Sequence, residues 1–156
     1  IDENVTELFD LLNQSMNLSR LAVITTGGTA SASELVINSM EPEVQVQLVG
    51  SDTLGKPVGQ VGIVFCEKIL RPTAFETVNN LGEGRYFDGL PVDCPAADDV
   101  FSEVGSQQDP STAAALALLS TGACPPAPAQ AKAVQEIARF TPPRARTTAQ
   151  AKAYIY

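Results

Sequence analysis

A serine and a lysine carry the chemistry that this sequence suggests. Ser31 lies in the run Thr29–Glu34, where a Gly-rich turn leads into an expected helix, and Lys56 follows a strand-like run. The sequence contains no histidine, so an imidazole base cannot activate a nucleophilic serine. A lysine is the remaining common base, provided that its amine is neutral. Desolvation beside Leu54 and Val58 would favour that neutral amine.

Two further groups could assist this pair. Gln60 lies in an expected strand at an even separation from Lys56, so both side chains point to one face and the amide could orient the amine. The N–H of Ala32, at the start of the helix, would be a natural oxyanion donor. Ser31 could equally cap the helix and Lys56 could be a solvated loop residue. The hypothesis therefore depends on their joint spacing.

The same region also fits part of a phosphate-binding loop. Gly50–Lys56 matches the Gly-x-x-x-x-Gly-Lys stem and follows a strand. Pro57 stands where that motif needs Ser or Thr to hold magnesium, and the following segment is expected to be a strand rather than a helix. Nucleotide binding is therefore disfavoured.

The elements that would position these residues form a βαβ unit. Apolar patterning predicts a strand over 21–26, a helix over 29–40 that Pro42 ends, and a strand over 44–49. A further helix is predicted before them, over residues 3–16. Strands over 58–65 and 68–78, the second with a bend at Pro72, are expected to pair antiparallel.

The rest of the chain is predicted to be turn-rich and then helical. Residues 79–100 are rich in turn residues, a helix over 110–119 ends at Gly122, and a Pro-rich linker precedes a helix over 129–140. The expected fold class is therefore α/β: a βαβ unit with a mixed sheet extended by antiparallel strands, plus C-terminal helices.

Charge and hydropathy restrict the partners. The net charge is −8, while residues 131–156 are basic, and their charged residues are Lys132, Glu136, Arg139, Arg144, Arg146 and Lys152. Nucleic-acid binding is not expected, because phosphates require a concentrated basic surface. The basic tail is expected to cover an acidic face of its own domain or of a neighbour. No apolar run approaches the roughly 18 residues of a membrane span.

The three cysteines do not form a metal site. Cys66, Cys94 and Cys124 lack Cys-x-x-Cys spacing, and no histidine is present to complete a zinc site. A disulfide between Cys66 and Cys94 is one possibility in an oxidising compartment. Three buried thiols are the other.

The motif around the two candidate residues resembles a known peptidase family. Thr29-Ala30-Ser31-Ala32-Ser33-Glu34, followed by Gly50-x-x-Thr53-x-Gly55-Lys56-x-x-x-Gln60, closely resembles the C-terminal processing peptidase (tail-specific protease) family. The resemblance is strong over residues 20–60 and weaker to about residue 100. It implies a serine endopeptidase with Ser31 as nucleophile, Lys56 as general base, Gln60 as supporting amide and the Ala32 N–H in the oxyanion hole.

The resemblance also implies the setting of the site. It implies a partial ClpP/crotonase-like peptidase core, a protein or peptide substrate, no metal or cofactor, and a periplasmic or cell-envelope location. Family members usually carry upstream strands, among them a glycine that supplies a second oxyanion N–H, and many carry a PDZ-like module. Only residues 1–20 precede the βαβ unit here. The upstream part of the same peptidase is therefore an expected partner, and the isolated fragment is expected to have an incomplete oxyanion hole and to be inactive without that part.

The expected organisation follows from this comparison. Residues 1–124 are expected to be the C-terminal part of a peptidase catalytic domain, and residues 125–156 a Pro-rich linker, helix and basic tail that pack on it. The alternative is a non-catalytic peptide-binding or assembly module that retains the peptidase fold.

Overall fold

The structure, a computed structural model, describes residues 5–126, which form seven strands and two helices. The predicted helix over 129–140 and the basic tail lie outside the described residues. In chain order, the elements are β1 (Arg20–Thr25), α1 (Ala32–Met40), β2 (Gln45–Gly50), β3 (Val58–Gln60), β4 (Ile63–Phe65), β5 (Lys68–Leu70), β6 (Thr73–Glu76), β7 (Cys94–Pro95) and α2 (Pro110–Thr121).

A parallel sheet of three strands lies at the centre, in the order β1–β2–β7. β1 pairs with β2 in parallel, in a register that runs from Arg20 opposite Gln45 to Thr25 opposite Gly50. The predicted βαβ unit is therefore confirmed, because α1 connects two adjacent parallel strands. β7 was missed by the sequence analysis, since it consists of two residues in a turn-rich segment and forms only by pairing with the end of β2.

The two helices cover opposite faces of this sheet. Leu48 and Val49 are consecutive in β2, so their side chains point to opposite faces. Val49 shares a buried cluster with Leu118 of α2, whereas Leu48 shares one with Ile37 of α1. The core is therefore a three-layer α/β/α arrangement, in which each helix buries its apolar side against one face.

α2 has clear signals at both ends. Pro110 occupies the first turn, and the Asp109 carboxylate accepts the N–H of Thr112 at 3.0 Å. At the other end, Gly122 adopts φ 75° and donates its N–H to the Leu118 carbonyl at 2.8 Å. The predicted helix over 110–119 is confirmed and extends to Thr121, because a left-handed glycine ends a helix at little steric cost.

The antiparallel strands form two ladders of their own. β3 pairs with β6 and β4 with β5, so the predicted antiparallel pairing of 58–65 with 68–78 is confirmed. Each predicted strand is interrupted, the first after Gln60 and the second at Arg71–Pro72, where proline lacks the N–H that a continuous ladder needs. We refer to residues 58–76 as the arm. Its exposed apolar side chains are Val61, Ile63, Val64, Phe65, Ile69, Leu70 and Phe75.

The predicted helix over residues 3–16 is wrong for its described part, because residues 5–16 contain no helix. Its apolar side chains are exposed, with Leu11 at 87% and Met16 at 76%. A short amphipathic helix gains most of its stability from burying an apolar face, and these side chains bury little surface here. The helical period of this segment does not by itself produce a helix when no neighbouring surface buries its apolar face.

The cysteines pair differently from either possibility considered. Cys94 is bonded to Cys124, and Cys66 is a free, exposed thiol at the turn between β4 and β5. Cys94 is buried in β7, whereas Cys66 lies on the arm. α2 packs against β7 and brings the segment after it back to the sheet, so that the two Cα atoms lie 5.5 Å apart. That distance is usual for a disulfide.

The part of the chain that the structure describes contains no helix that could cross a bilayer. Neither α1 nor α2 combines the length and the apolar character that a bilayer-spanning helix requires.

Candidate active site

The loop after β1 is closed on itself and attached to the loop after β2. The Thr26 N–H donates to the Thr29 hydroxyl at 2.9 Å, and the Thr29 N–H donates back to the Thr26 carbonyl at 2.9 Å. The N–H of Leu54 donates to the Thr29 carbonyl at 2.8 Å. The turn that leads to Ser31 is therefore joined to the segment that leads to Lys56.

Ser31 occupies a sharp turn between this loop and α1. Its backbone has φ 55° and ψ −112°, a positive φ that is uncommon for any residue with a side chain. Conformations of this kind cost about 1–3 kcal/mol and are concentrated at functional sites. A nucleophile elbow holds its serine on such a strand-to-helix turn. α1 begins at Ala32 rather than at the predicted residue 29, so Ser31 lies at its N-terminal junction.

The N–H of Ala32, the predicted oxyanion donor, lies at the N-terminal end of α1. Ala32 is the first residue of α1 and is exposed. The first N–H groups of a helix have no acceptor within it, and they carry its partial positive charge. Negative charge that develops beside Ser31 would lie at this helix end.

One buried carboxylate connects the turn at Ser31 with residues 53–56, which we call the lysine loop. The Glu34 side chain is fully buried, and its Oε2 accepts the N–H of Ser31 and the N–H of Lys56, each at 2.8 Å. Its Oε1 accepts the Thr53 hydroxyl at 2.5 Å and the Gly55 N–H at 2.6 Å. All four partners are hydrogen-bond donors. This fits a carboxylate, because its oxygens only accept hydrogen bonds.

This arrangement brings Ser31 and Lys56 together through their backbones. Their nitrogens bond the same Glu34 oxygen, so they lie within twice 2.8 Å of each other. Lys56 is half-buried beside the buried Pro57, and Gln60 is half-buried at the end of β3. The catalytic roles of these side chains and of the Ala32 N–H stay predictions.

The lysine loop is packed tightly against a second loop, residues 86–90. Gly55 has φ 89°, and a Cβ at this position would collide with the Phe87 carbonyl oxygen. The Thr53 N–H donates to the Leu90 carbonyl at 3.1 Å, and the Leu90 N–H donates to the Thr53 hydroxyl at 2.7 Å. The conformation of residues 53–56 is therefore specified from both sides.

The phosphate-loop alternative is excluded by the same segment. Lys56 is followed by Pro57 and then by β3, a strand. A phosphate-binding loop requires a helix whose N-terminal N–H groups face the phosphates. The prediction that a strand follows this lysine is confirmed.

Tyr86 does not offer a competing base near neutral pH. Burial is the largest cause that raises the pKa of its phenol, the hydrogen bond with the Thr77 hydroxyl lowers the pKa in part, and the charges of Glu34 and Glu41 raise it further. The phenol therefore stays protonated. It packs against the cluster that contains Ile37.

The roles of Glu34 and Thr53 in the site were not predicted from the sequence. A glutamate three residues after a serine at a helix start is the capping-box pattern, which predicts the contact between Glu34 and the Ser31 N–H. The bonds of Glu34 to Thr53, Gly55 and Lys56 are tertiary contacts, and no local signal predicts them.

Comparison with known proteins supports the peptidase fold. No protein-family model and no curated protein matches this sequence. A crystal structure described as "Putative S41 protease", from Bacteroides fragilis, matches with 27% sequence identity and a TM-score of 0.64. The match covers 69% of this chain and 29% of that chain, so this chain spans less than a third of the length of that protein. S41 peptidases are the C-terminal processing peptidases that the sequence resembles. The expected α/β class, a partial S41 peptidase fold, is confirmed.

Proposed function

We propose that this chain forms the C-terminal part of the catalytic domain of a serine endopeptidase, in which Ser31 and Lys56 form the catalytic dyad. The proposed substrates are proteins or peptides, cleaved in processing or tail-specific proteolysis. The likeness to the described S41 protease supports the fold of such an enzyme. The conformation of Ser31 and its connection to Lys56 support the dyad.

The proposed reaction is an acyl transfer through a covalent intermediate. The Lys56 amine takes the Ser31 hydroxyl proton while Oγ attacks the peptide carbonyl, and the oxyanion lies at the Ala32 N–H. The Lys56 ammonium then protonates the leaving amine as the C–N bond breaks. Water, deprotonated by Lys56, hydrolyses the ester and releases Ser31. Gln60 orients the amine. A second oxyanion donor is proposed to come from the upstream part of the same peptidase.

The observation that carries this proposal is the shared Oε2 of Glu34. A serine that only caps a helix needs no connection to a distant lysine loop. Here one buried oxygen accepts the N–H of Ser31 and the N–H of Lys56. The buried carboxylate therefore specifies the relative position of the two proposed catalytic residues.

The proposal is tested by covalent labelling of Ser31. Reaction of the complete peptidase that contains this chain with a fluorophosphonate probe, followed by peptide mass spectrometry, measures the nucleophilicity of Ser31 without a known substrate. We expect Ser31→Ala to abolish labelling and Lys56→Ala to slow it by about 100-fold or more, because a positioned base typically contributes 10²–10⁴ in rate.

Two neighbouring residues provide matched controls. Ser33 is exposed on the same helix, and Lys68 is exposed in β5. We expect Ser33→Ala and Lys68→Ala to keep the labelling rate of the unsubstituted chain. Labelling of Ser31 at an unchanged rate in Lys56→Ala would refute the dyad.

A peptide-binding or assembly module is the second candidate function. The exposed apolar side chains of the arm favour it, because an interaction partner would remove them from water. Labelling of the complete peptidase, in which the second oxyanion donor is present, separates the two functions, since a non-catalytic module would leave Ser31 unreactive while the fold persists.

We further propose a periplasmic or cell-envelope location. The disulfide between Cys94 and Cys124 supports it, because disulfides persist in oxidising compartments. Recovery of both cysteines as free thiols after rapid alkylation of cells would contradict this location.

A further inference from the structure

Thr53 lies between the proposed site and the loop of residues 86–90. It is 5% exposed, and its hydroxyl donates to Glu34 Oε1 at 2.5 Å. The same hydroxyl accepts the N–H of Leu90 at 2.7 Å. The Thr53 N–H in turn donates to the Leu90 carbonyl at 3.1 Å. Thr53 is therefore bonded to Leu90 twice and to Glu34 once.

The direction of these bonds fixes the Glu34 carboxylate. Because the Leu90 N–H donates to the Thr53 oxygen, the hydroxyl proton is directed to Oε1 of Glu34. A glutamate carboxylate otherwise rotates broadly about its last torsion. With Oε1 held by Thr53 and by the Gly55 N–H, Oε2 faces the backbone of Ser31 and Lys56.

We propose that Thr53 is a positioning residue: its hydroxyl orients Glu34, which sets the Ser31 turn and the Lys56 loop relative to each other. This inference rests on the proposed function, because it assigns Thr53 to the arrangement of that dyad. It concerns the hydroxyl rather than the volume of the side chain. Buried polar networks of this kind are effective only when every member is satisfied.

The test compares two substitutions that separate hydroxyl from volume. Thr53→Val keeps the shape of the side chain but removes the hydroxyl, whereas Thr53→Ser keeps the hydroxyl and removes a methyl group. We expect Thr53→Val to slow fluorophosphonate labelling of Ser31 by about tenfold or more, since a buried partner left unsatisfied shifts the groups it held. We also expect a shifted midpoint in the pH profile of labelling. Thr53→Ser should stay within about threefold of the unsubstituted chain and keep its midpoint.

A second readout needs no catalysis. Amide hydrogen exchange of Ser31, Gly55 and Lys56, followed by NMR, reports directly on the N–H groups that Glu34 accepts. We expect faster exchange at these three amides in Thr53→Val and unchanged exchange in Thr53→Ser. If Thr53→Val fails to give a folded spectrum, the same contrast is measured between Thr53→Ala and Thr53→Ser.

The two readouts separate failure of this inference from failure of the proposed function. Labelling, pH profile and exchange that all match the unsubstituted chain in Thr53→Val would overturn the positioning role. Equal losses in Thr53→Val and Thr53→Ser would also overturn it, since they would indicate packing. Faster exchange in Thr53→Val, together with a complete peptidase whose Ser31 is never labelled, would support the geometry and contradict the proposed function.

Discussion

At the residue scale, Ser31 and Gly55 are both held at positive φ, and their N–H groups donate to different oxygens of the Glu34 carboxylate. Ser31 has a side chain at φ 55°, a conformation that persists only where the surroundings specify it. Those surroundings are identifiable: its N–H donates to Glu34 and its carbonyl accepts the Leu35 N–H of the first helical turn. Backbone strain at the proposed nucleophile is therefore stabilised by side-chain and helix hydrogen bonds.

Gly55→Ala is expected to destabilise the fold by about 2–4 kcal/mol. The positive φ costs an alanine about 1 kcal/mol, and the added Cβ would also collide with the Phe87 carbonyl. Urea unfolding measures the difference. Gly82→Ala is the matched control, because Gly82 has φ 80° and no atom within 4 Å of the added Cβ. Equal losses in the two variants would contradict the packing of residues 86–90 against the lysine loop.

At the element scale, α2 is specified by its own ends. The Asp109 carboxylate accepts both the N–H and the hydroxyl of Thr112, at 3.0 Å and 2.6 Å. The Thr112 hydroxyl is the largest cause that lowers the pKa of Asp109, and the backbone N–H groups of Thr112 and Ser111 lower it further. The ionised form is therefore the one that the folded helix favours.

Asp109→Ala is expected to lower the free energy of unfolding by about 1 kcal/mol at neutral pH, the usual value of an N-cap. A lowered pKa in the folded state stabilises the protein above the ordinary value of 3.8, and this contribution disappears as pH falls through the folded pKa. The difference between the variant and the unsubstituted chain should therefore shrink in acid. Urea unfolding at neutral and acidic pH measures it, with exposed Asp98→Ala as the control. A difference that grows in acid would contradict the cap.

Elements with complete local signals were the ones that the sequence predicted. β1 and β2 are short apolar runs, and α2 has a proline, a cap and a terminal glycine within its own sequence. β7 could not be predicted, because two residues have no periodicity and pair only with the end of β2. The segment over 5–16 has a helical period, yet it contains no helix, since its apolar face is not buried. Tertiary contacts decided both cases: β7 forms by pairing with β2, and the segment over 5–16 has, among the described residues, no surface against which to bury its apolar side chains.

For the candidate site, too, the sequence predicted the residues with local signals and not the tertiary contacts. Ser31 and Lys56 stand out by residue type, because the chain has no histidine and its motif is specific. The hydrogen bonds from Thr53 and Lys56 to Glu34 depend on the position of the loop after β2 in the folded chain. Local sequence patterns do not predict that position. The pairing of Cys94 with Cys124 escaped prediction for the same reason, since it follows from how α2 packs against β7.

At the scale of the whole molecule, the disulfide fastens the chain after α2 to the edge of the central sheet. Cys94 is 1% exposed in β7, and its partner Cys124 follows the end of α2. The bridge joins residues separated by 30 positions, and this loop contains α2, one of the two layers that cover the sheet. It therefore restricts the unfolded chain in the region that forms one face of the core.

Cys124→Ala is expected to lower the free energy of unfolding by about 3–4 kcal/mol, the entropic value for a loop of this length. Guanidinium unfolding in the absence of reductant measures the loss. Reduction of the unsubstituted chain should give a similar loss. Cys66→Ser is the control, because Cys66 is exposed and free, and it should leave stability unchanged. A Cys124→Ala variant as stable as the unsubstituted chain would contradict this contribution.

The βαβ unit and the start of the arm have a consequence for protein engineering. The proposed nucleophile, base and orienting amide, together with Glu34 and Thr53, all lie between β1 and the end of β3, in one uninterrupted piece of chain. The exposed turn at Cys66–Glu67 comes after all of them. New termini or an inserted reporter domain at that turn would leave every one of these groups on a single polypeptide segment, which makes the turn a suitable site for building a sensor without separating the proposed dyad from the groups that orient it.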